Sequence, residues 1–188
     1  MLHYLREYNE YAEISGFRSI EFAKAERFLK ANRRDVGKDY ELQFFDAQLV
    51  ASGDHLYFAV LNALEAFRGK RNISKSLAME TMLYASAQRQ IQKALLRCGI
   101  KTETKAMAVV IIGQDPTLLK NVVDTLARIF EQEPDERVLG MSKDKETSIA
   151  KAFEISDEEI QTVMKNNDRE EALVNLVIER VALLSVQS

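Results

Sequence analysis

Tryptophan is absent from this 188-residue chain, cysteine occurs once, and there are only two prolines, two histidines and seven glycines. The lone Cys98 excludes an intrachain disulfide and any multi-cysteine metal site, which fits a reducing compartment. So few prolines and glycines leave no room for a collagen-like or linker-rich stretch. No apolar run approaches the ~20 residues a membrane helix needs; Ala106–Gly113 is among the longest. The N-terminal segment Met1-Leu2-His3-Tyr4-Leu5-Arg6-Glu7 lacks a charged-then-apolar secretory pattern. These absences predict a soluble, cytoplasmic protein.

Hydrophobic residues make up 46% and charged residues 29%, the balance of a chain that folds around a core rather than of a disordered one. The formal charge of −3 conceals two opposed blocks. Residues 68–101 hold eight Lys/Arg and a single acid, Glu80, whereas residues 131–188 hold seven Lys/Arg and fourteen Asp/Glu.

Periodicity predicts strands over Glu10–Phe17, Glu41–Phe45 and Ala106–Gly113, the last apolar throughout and therefore central. Helices are expected from Ser19 to near Gly37, from a Ser52-Gly53-Asp54 cap to a stop at Gly69, and along Ser74–Cys98 with a break near Ser86. Asp115-Pro116 opens a further helix that runs through Phe130. A short turn from Glu133-Pro134 to Gly140 follows, then a capping box at Ser156-Asp157-Glu158-Glu159, and finally a helix from Asp168 to about Val186. No internal repeat or boundary divides the chain. The expected fold is a single α+β domain over 1–188, a small, mostly antiparallel sheet of three to four strands wrapped by several helices.

Catalysis requires convergent acids, bases, nucleophiles or a metal, and the sequence offers few. His3 falls at a terminus expected to be mobile. His55 follows Asp54 in a first helical turn, where a capped surface helix explains the pair better than a base and its orienter. Cys98 stands at a helix C-terminus, where the negative dipole end disfavours a thiolate. Gly113-Gln114-Asp115-Pro116 lacks the spacing and lysine of a phosphate loop. The expectation is a non-enzyme that needs neither cofactor nor metal.

Two features remain. Arg68, Lys70 and Arg71 crowd a loop leading to the helix expected at Ser74, whose free amides favour an anion beside Lys75. Arg89, Lys93 and Arg97 recur every four residues, with Lys101 just beyond, and Tyr57, Phe67 and Tyr84 could stack on unpaired bases. A solvated basic face with the aromatics in the core accounts for the same residues, and charge alone leaves RNA, an acidic protein or no ligand open. The second feature is Leu173–Leu184, apolar in nearly every helical direction. Such a helix is either central to the core or docks a partner on one face.

Several segments resemble the kinase-binding subunit family of the KEOPS complex, called PRPK-binding protein in animals, in its archaeal form. They are Phe44-Phe45-Asp46-Ala47, Gly53-Asp54-His55-Leu56, Arg71-Asn72-Ile73-Ser74-Lys75-Ser76-Leu77 with Glu80, and Leu83–Ile91. Ile155–Glu159 and Val177–Leu184 are also similar to the family. The likeness covers about residues 42–186. It implies a non-catalytic subunit that binds and stimulates the complex's atypical kinase, an ATPase, and captures the single-stranded 3′ CCA end of tRNA. That role supports threonylcarbamoylation of adenosine 37. On this reading tRNA phosphates lie over Arg71, Lys75 and Arg89 with Lys70 and Lys93 steering, and the terminal base enters near Ile73 and Tyr84. The kinase meets the C-terminal helix at Leu173, Val177, Arg180 and Leu184. The rival reading is a regulatory scaffold that binds only protein, without RNA contact.

Overall fold

The computed structural model describes residues 1–34 and 39–186. Its elements run β1 (Leu2–Leu5), β2 (Glu10–Phe17), α1 (Phe22–Arg34), β3 (Tyr40–Asp46), α2 (Gly53–Arg68), α3 (Leu77–Ala85) and α4 (Ile91–Cys98). They continue with β4 (Met107–Gly113), α5 (Pro116–Phe130), α6 (Lys143–Ala152), α7 (Asp157–Val163) and α8 (Arg169–Leu183). Among the described residues the four strands form one sheet in the order β1-β2-β4-β3, with every pairing antiparallel. The α+β expectation is met.

The uniformly apolar β4 lies inside the sheet, where both of its faces are covered. Met107 pairs with Phe17 on one side and with Asp46 on the other, and every residue of β4 is buried. Alternation along the strand assigns the two cores. Met107, Val109 and Ile111 join Leu42, Phe44 and the α5 residues Leu119, Val122, Val123, Leu126 and Phe130. Ala108, Val110 and Ile112 face a larger cluster that includes Leu56, Val60, Met82, Leu83, Leu173, Val177 and Val181. The result is three layers, with α1 and α5 on one side of the sheet and most other helices on the opposite side.

Local signals set most boundaries. The Ser52 hydroxyl accepts from the His55 amide to open α2, and Asp115 accepts from Thr117 to open α5 with Pro116 in its first turn. Ser156 and Glu159 form the reciprocal capping box of α7. Several expectations change. Ser19 does not open α1: it sits at φ 47° and Ile20 is tied through its amide to Lys105 O at 2.9 Å, so the helix starts at Phe22. The end expected near Gly37 lies outside the described residues. The break expected near Ser86 is present, since the chain reverses at Ala87 (φ 50°) and Gln88 N bonds back to Leu83 O at 3.0 Å, but the first of the two helices starts at Leu77 rather than Ser74. His3 is not in a loose terminus but in β1, paired with Ala12, its ring 4.8 Å from that of Tyr57. Among the described residues, no helix is long and apolar enough to cross a membrane.

Candidate nucleic-acid interface

The basic loop is built by the end of α2. Gly69 N, Lys70 N and Arg71 N bond back to Glu65 O, Phe67 O and Ala66 O. Lys70 takes a left-handed conformation at φ 54° that turns the chain away from the helix axis. Lys70, Arg71 and Lys75 are exposed, and Ile73 shows 41% of its surface. Arg89 follows α3 in the turn before Gln90, the N-cap of α4. Both Arg71 and Arg89 lie close enough to Tyr84 for their charges to act on its hydroxyl. Burial raises the phenol's pKa and Glu80 adds to the rise, while the two guanidiniums oppose it. Arg71 and Arg89, eighteen positions apart in sequence, therefore share one neighbourhood.

The amides expected to be free are occupied. Glu80, 1% exposed, turns its carboxylate onto Ile73 N (3.0 Å) and Ser74 N (2.7 Å). Glu41 reaches from β3 to accept from Ser76 Oγ at 2.8 Å and from Ala78 N at 3.2 Å. Ser76 Oγ in turn caps Met79 N. The anions favoured at this helix start are thus the chain's own carboxylates. An incoming phosphate would meet the exposed side chains of the loop, not its backbone. This corrects the expectation of a backbone anion site at a helix beginning near Ser74. The one acid in the basic block, Glu80, was the signal for it.

The remaining cations are distributed differently from their spacing. Because α4 begins at Ile91, Arg89 precedes the helix, and only Lys93 and Arg97 share its surface rows. Lys93, Arg97 and Lys101 border an open groove of about 370 Å³ with Leu49, Gln88 and Leu96. Arg97 is already engaged, donating to Ser86 O at 3.0 Å and lying over the Phe153 ring. Arg68 pairs with Glu65 at 2.6 Å and stacks over Tyr8. Tyr84 is only 7% exposed, so it forms a floor and offers no free stacking face; Phe67 and Tyr57 are half-buried.

The apolar residues expected on a kinase surface belong to the chain's own core. Leu173 and Val177 are fully buried and Leu184 is 2% exposed, because α8 packs on α2, α3, α6 and α7. In this fold they present no surface to a partner, which corrects the expected direct contact. Arg180 is part-buried and ion-paired with Glu159 at 2.5 Å. Leu183 and Val186, which the expectation passed over, are 39% and 73% exposed at the end of α8.

His55 is also reversed: it is completely buried, not on a helix surface. Its Nδ1 accepts from Ala51 N at 3.1 Å, which leaves Nε2 to donate to Ala85 O at 2.7 Å. Burial pushes its pKa down to about 4. Cys98 is buried, and burial pushes its thiol up to about 12. Among the described residues no group of three or more His, Cys, Asp or Glu side chains is placed to hold a metal.

The chain is thus a three-layer α+β domain with a cationic loop near a buried tyrosine. The profile of the kinase binding protein CGI-121 family matches residues 17–185, and the chain belongs to that family. The match extends beyond the resemblance at 42–186 to take in α1. Over 129 residues the chain is 31% identical to the regulatory protein Cgi121 of Methanocaldococcus jannaschii, which spans 69% of this chain and 81% of that one. Over 120 residues it is 30% identical to the EKC/KEOPS complex subunit cgi121 of Aspergillus terreus, spanning 61% of this chain and 62% of the fungal one, less than two thirds of that relative's length.

Proposed function

We propose that this chain is a non-catalytic regulatory subunit of a KEOPS-type assembly. It binds and stimulates the kinase/ATPase subunit, captures the 3′ CCA end of tRNA, and so supports threonylcarbamoylation of adenosine 37 in the cytoplasm of an archaeal-type cell. Family membership and the names of its relatives support the assembly and the kinase partner. The observation that carries the RNA reading is that exposed Arg71 and Arg89 both act electrostatically on Tyr84, with Ile73 exposed in the same loop as Arg71. Two cations at one place suit consecutive phosphates of an unpaired strand, and an exposed aliphatic side chain suits a base face. Lys70 and Lys75 extend the positive field along the loop, and Lys93 continues it through the groove on α4. At the C-terminal end, Arg180 and Leu183 on α8 and Val186 in the turn after it offer surface to a kinase.

The occupied amides at Ile73 and Ser74 favour the second reading, a scaffold that binds the kinase and no RNA. Binding of purified tRNA without the kinase separates the two. Intact tRNA is retained by the chain, and tRNA trimmed of its last three nucleotides is not. The double substitution Arg71→Glu, Arg89→Glu abolishes retention while kinase binding persists. Equal binding of intact and trimmed tRNA would exclude 3′-end capture, and no binding of either would leave the scaffold.

A further inference from the structure

A second cationic site lies away from α3, where the 3₁₀ turn Glu136–Leu139 closes over the end of β2. Glycine at position 16 permits that closure: a Cβ there would stand 2.6 Å from Asp135 O and 2.8 Å from Val138 Cβ. Asp135 N instead donates to Gly16 O at 2.8 Å. The Asp135 carboxylate then bridges two guanidiniums, binding Arg137 Nε at 2.9 Å and Arg18 Nε. Behind them opens a cavity of about 260 Å³ whose lining includes Arg18, Gln48, Arg137, Gly140, Ser142 and Lys145, and none of its lining residues is acidic.

Lys145 distinguishes this cavity from an ordinary basic surface. It is 6% exposed, and its ammonium donates to two neutral acceptors, Val138 O at 3.1 Å and Gly140 O at 2.8 Å. Among the described residues no carboxylate comes within ion-pair distance of it. Asp46 is near enough to favour the charged form, but its oxygens accept from Gln48 N and Thr104 Oγ1. Burial brings the Lys145 pKa down to about 8, so at neutral pH the ammonium stays charged. Buried charges in proteins are paired or otherwise compensated. Here three cations surround a cavity with Asp135 and Asp46 as their neighbouring carboxylates, leaving the place net positive.

We propose that this cavity receives a small tetrahedral oxyanion, a phosphate group, held by Lys145 with Arg18 and Arg137. Its volume is below the roughly 300–1,000 Å³ usual for a whole small-molecule ligand. One anionic group enters, and any ester substituent stays outside. The site uses β2, the 136–139 turn and α6, none of which positions Arg71 or Arg89, so its failure and that of the tRNA reading are separable.

The test is a two-dimensional NMR titration of the ¹⁵N-labelled full chain with inorganic phosphate and, in a second arm, with AMP, at matched ionic strength. The amides of Gly140, Met141, Ser142 and Lys145 shift and saturate. Saturation with both ligands identifies a site open to the free ion, and saturation with AMP alone identifies one that selects a phosphate ester. Arg18→Gln and Arg137→Gln, whose parent side chains are 53% and 85% exposed and tolerate change, each weaken binding about tenfold. Lys145→Gln abolishes it. Shifts that grow linearly with both ligands, or that persist undiminished when both arginines are replaced, would overturn the proposal.

Discussion

At position 55 an imidazole is sealed between the start of α2 and the end of α3, with both nitrogens committed to the backbone of Ala51 and Ala85. That geometry requires the neutral ring. The unfolded chain protonates His55 near its ordinary 6.5, and the folded chain only near 4. The unfolded state therefore gains protons first as pH falls. Stability is complete above pH 6.5 and declines progressively toward pH 4, by about 3 kcal/mol if the whole shift is realised. Urea unfolding followed at a series of pH values checks this. The wild type loses stability between pH 6.5 and 5, and His55→Gln, which can still accept and donate, loses the slope in that window. A wild-type profile flat over the same range would contradict the burial.

The elements differ in how openly the sequence declares them. β4 is legible because seven consecutive buried positions permit no polar interruption, and α5 because Asp115-Pro116 supplies both a cap and a preset φ. β1 is not, since Leu2 and Tyr4 are each 50% exposed and only four residues pair. α6 is equally hidden: in Lys143–Ala152 only Lys145 and Ile149 are buried, one of them charged. The over-apolar character of α8 was legible, but its direction was not. Four packing helices consume Leu173, Val177 and Val181, while Val174 and Ile178 are half-buried and Leu183 in the last turn is the large apolar side chain most exposed on the helix. This separates two substitutions that look alike in the sequence. Val177→Glu places an unpaired carboxylate in the core, costs several kcal/mol and unfolds the chain. Leu183→Glu leaves it folded and weakens kinase binding by tenfold or more. Circular dichroism and calorimetric titration with the kinase read the two effects; a folded Leu183→Glu variant of unchanged affinity would remove the end of α8 from the contact.

In the molecule as a whole, the sheet fixes where the surfaces stand. It carries β3, from which Glu41 steadies the start of α3, and the packing of α3 on α2 and α8 sets the loop and the C-terminal end in one rigid layer. The basic block was legible as a charge imbalance, but its division was not. Four-residue spacing implies one helical face only if the helix exists, and the reversal at Ala87 removes Arg89 from it. The proposed function requires the chain to hold RNA by the α2–α3 loop and a kinase by α8 at the same time. Sedimentation velocity on a mixture of the chain, the kinase subunit and intact tRNA tests that directly. A ternary species is predicted, reduced to the protein heterodimer by Arg71→Glu, Arg89→Glu and to the chain–tRNA pair by Leu183→Glu. Displacement of tRNA by the kinase, or tRNA found only on the kinase, would contradict it.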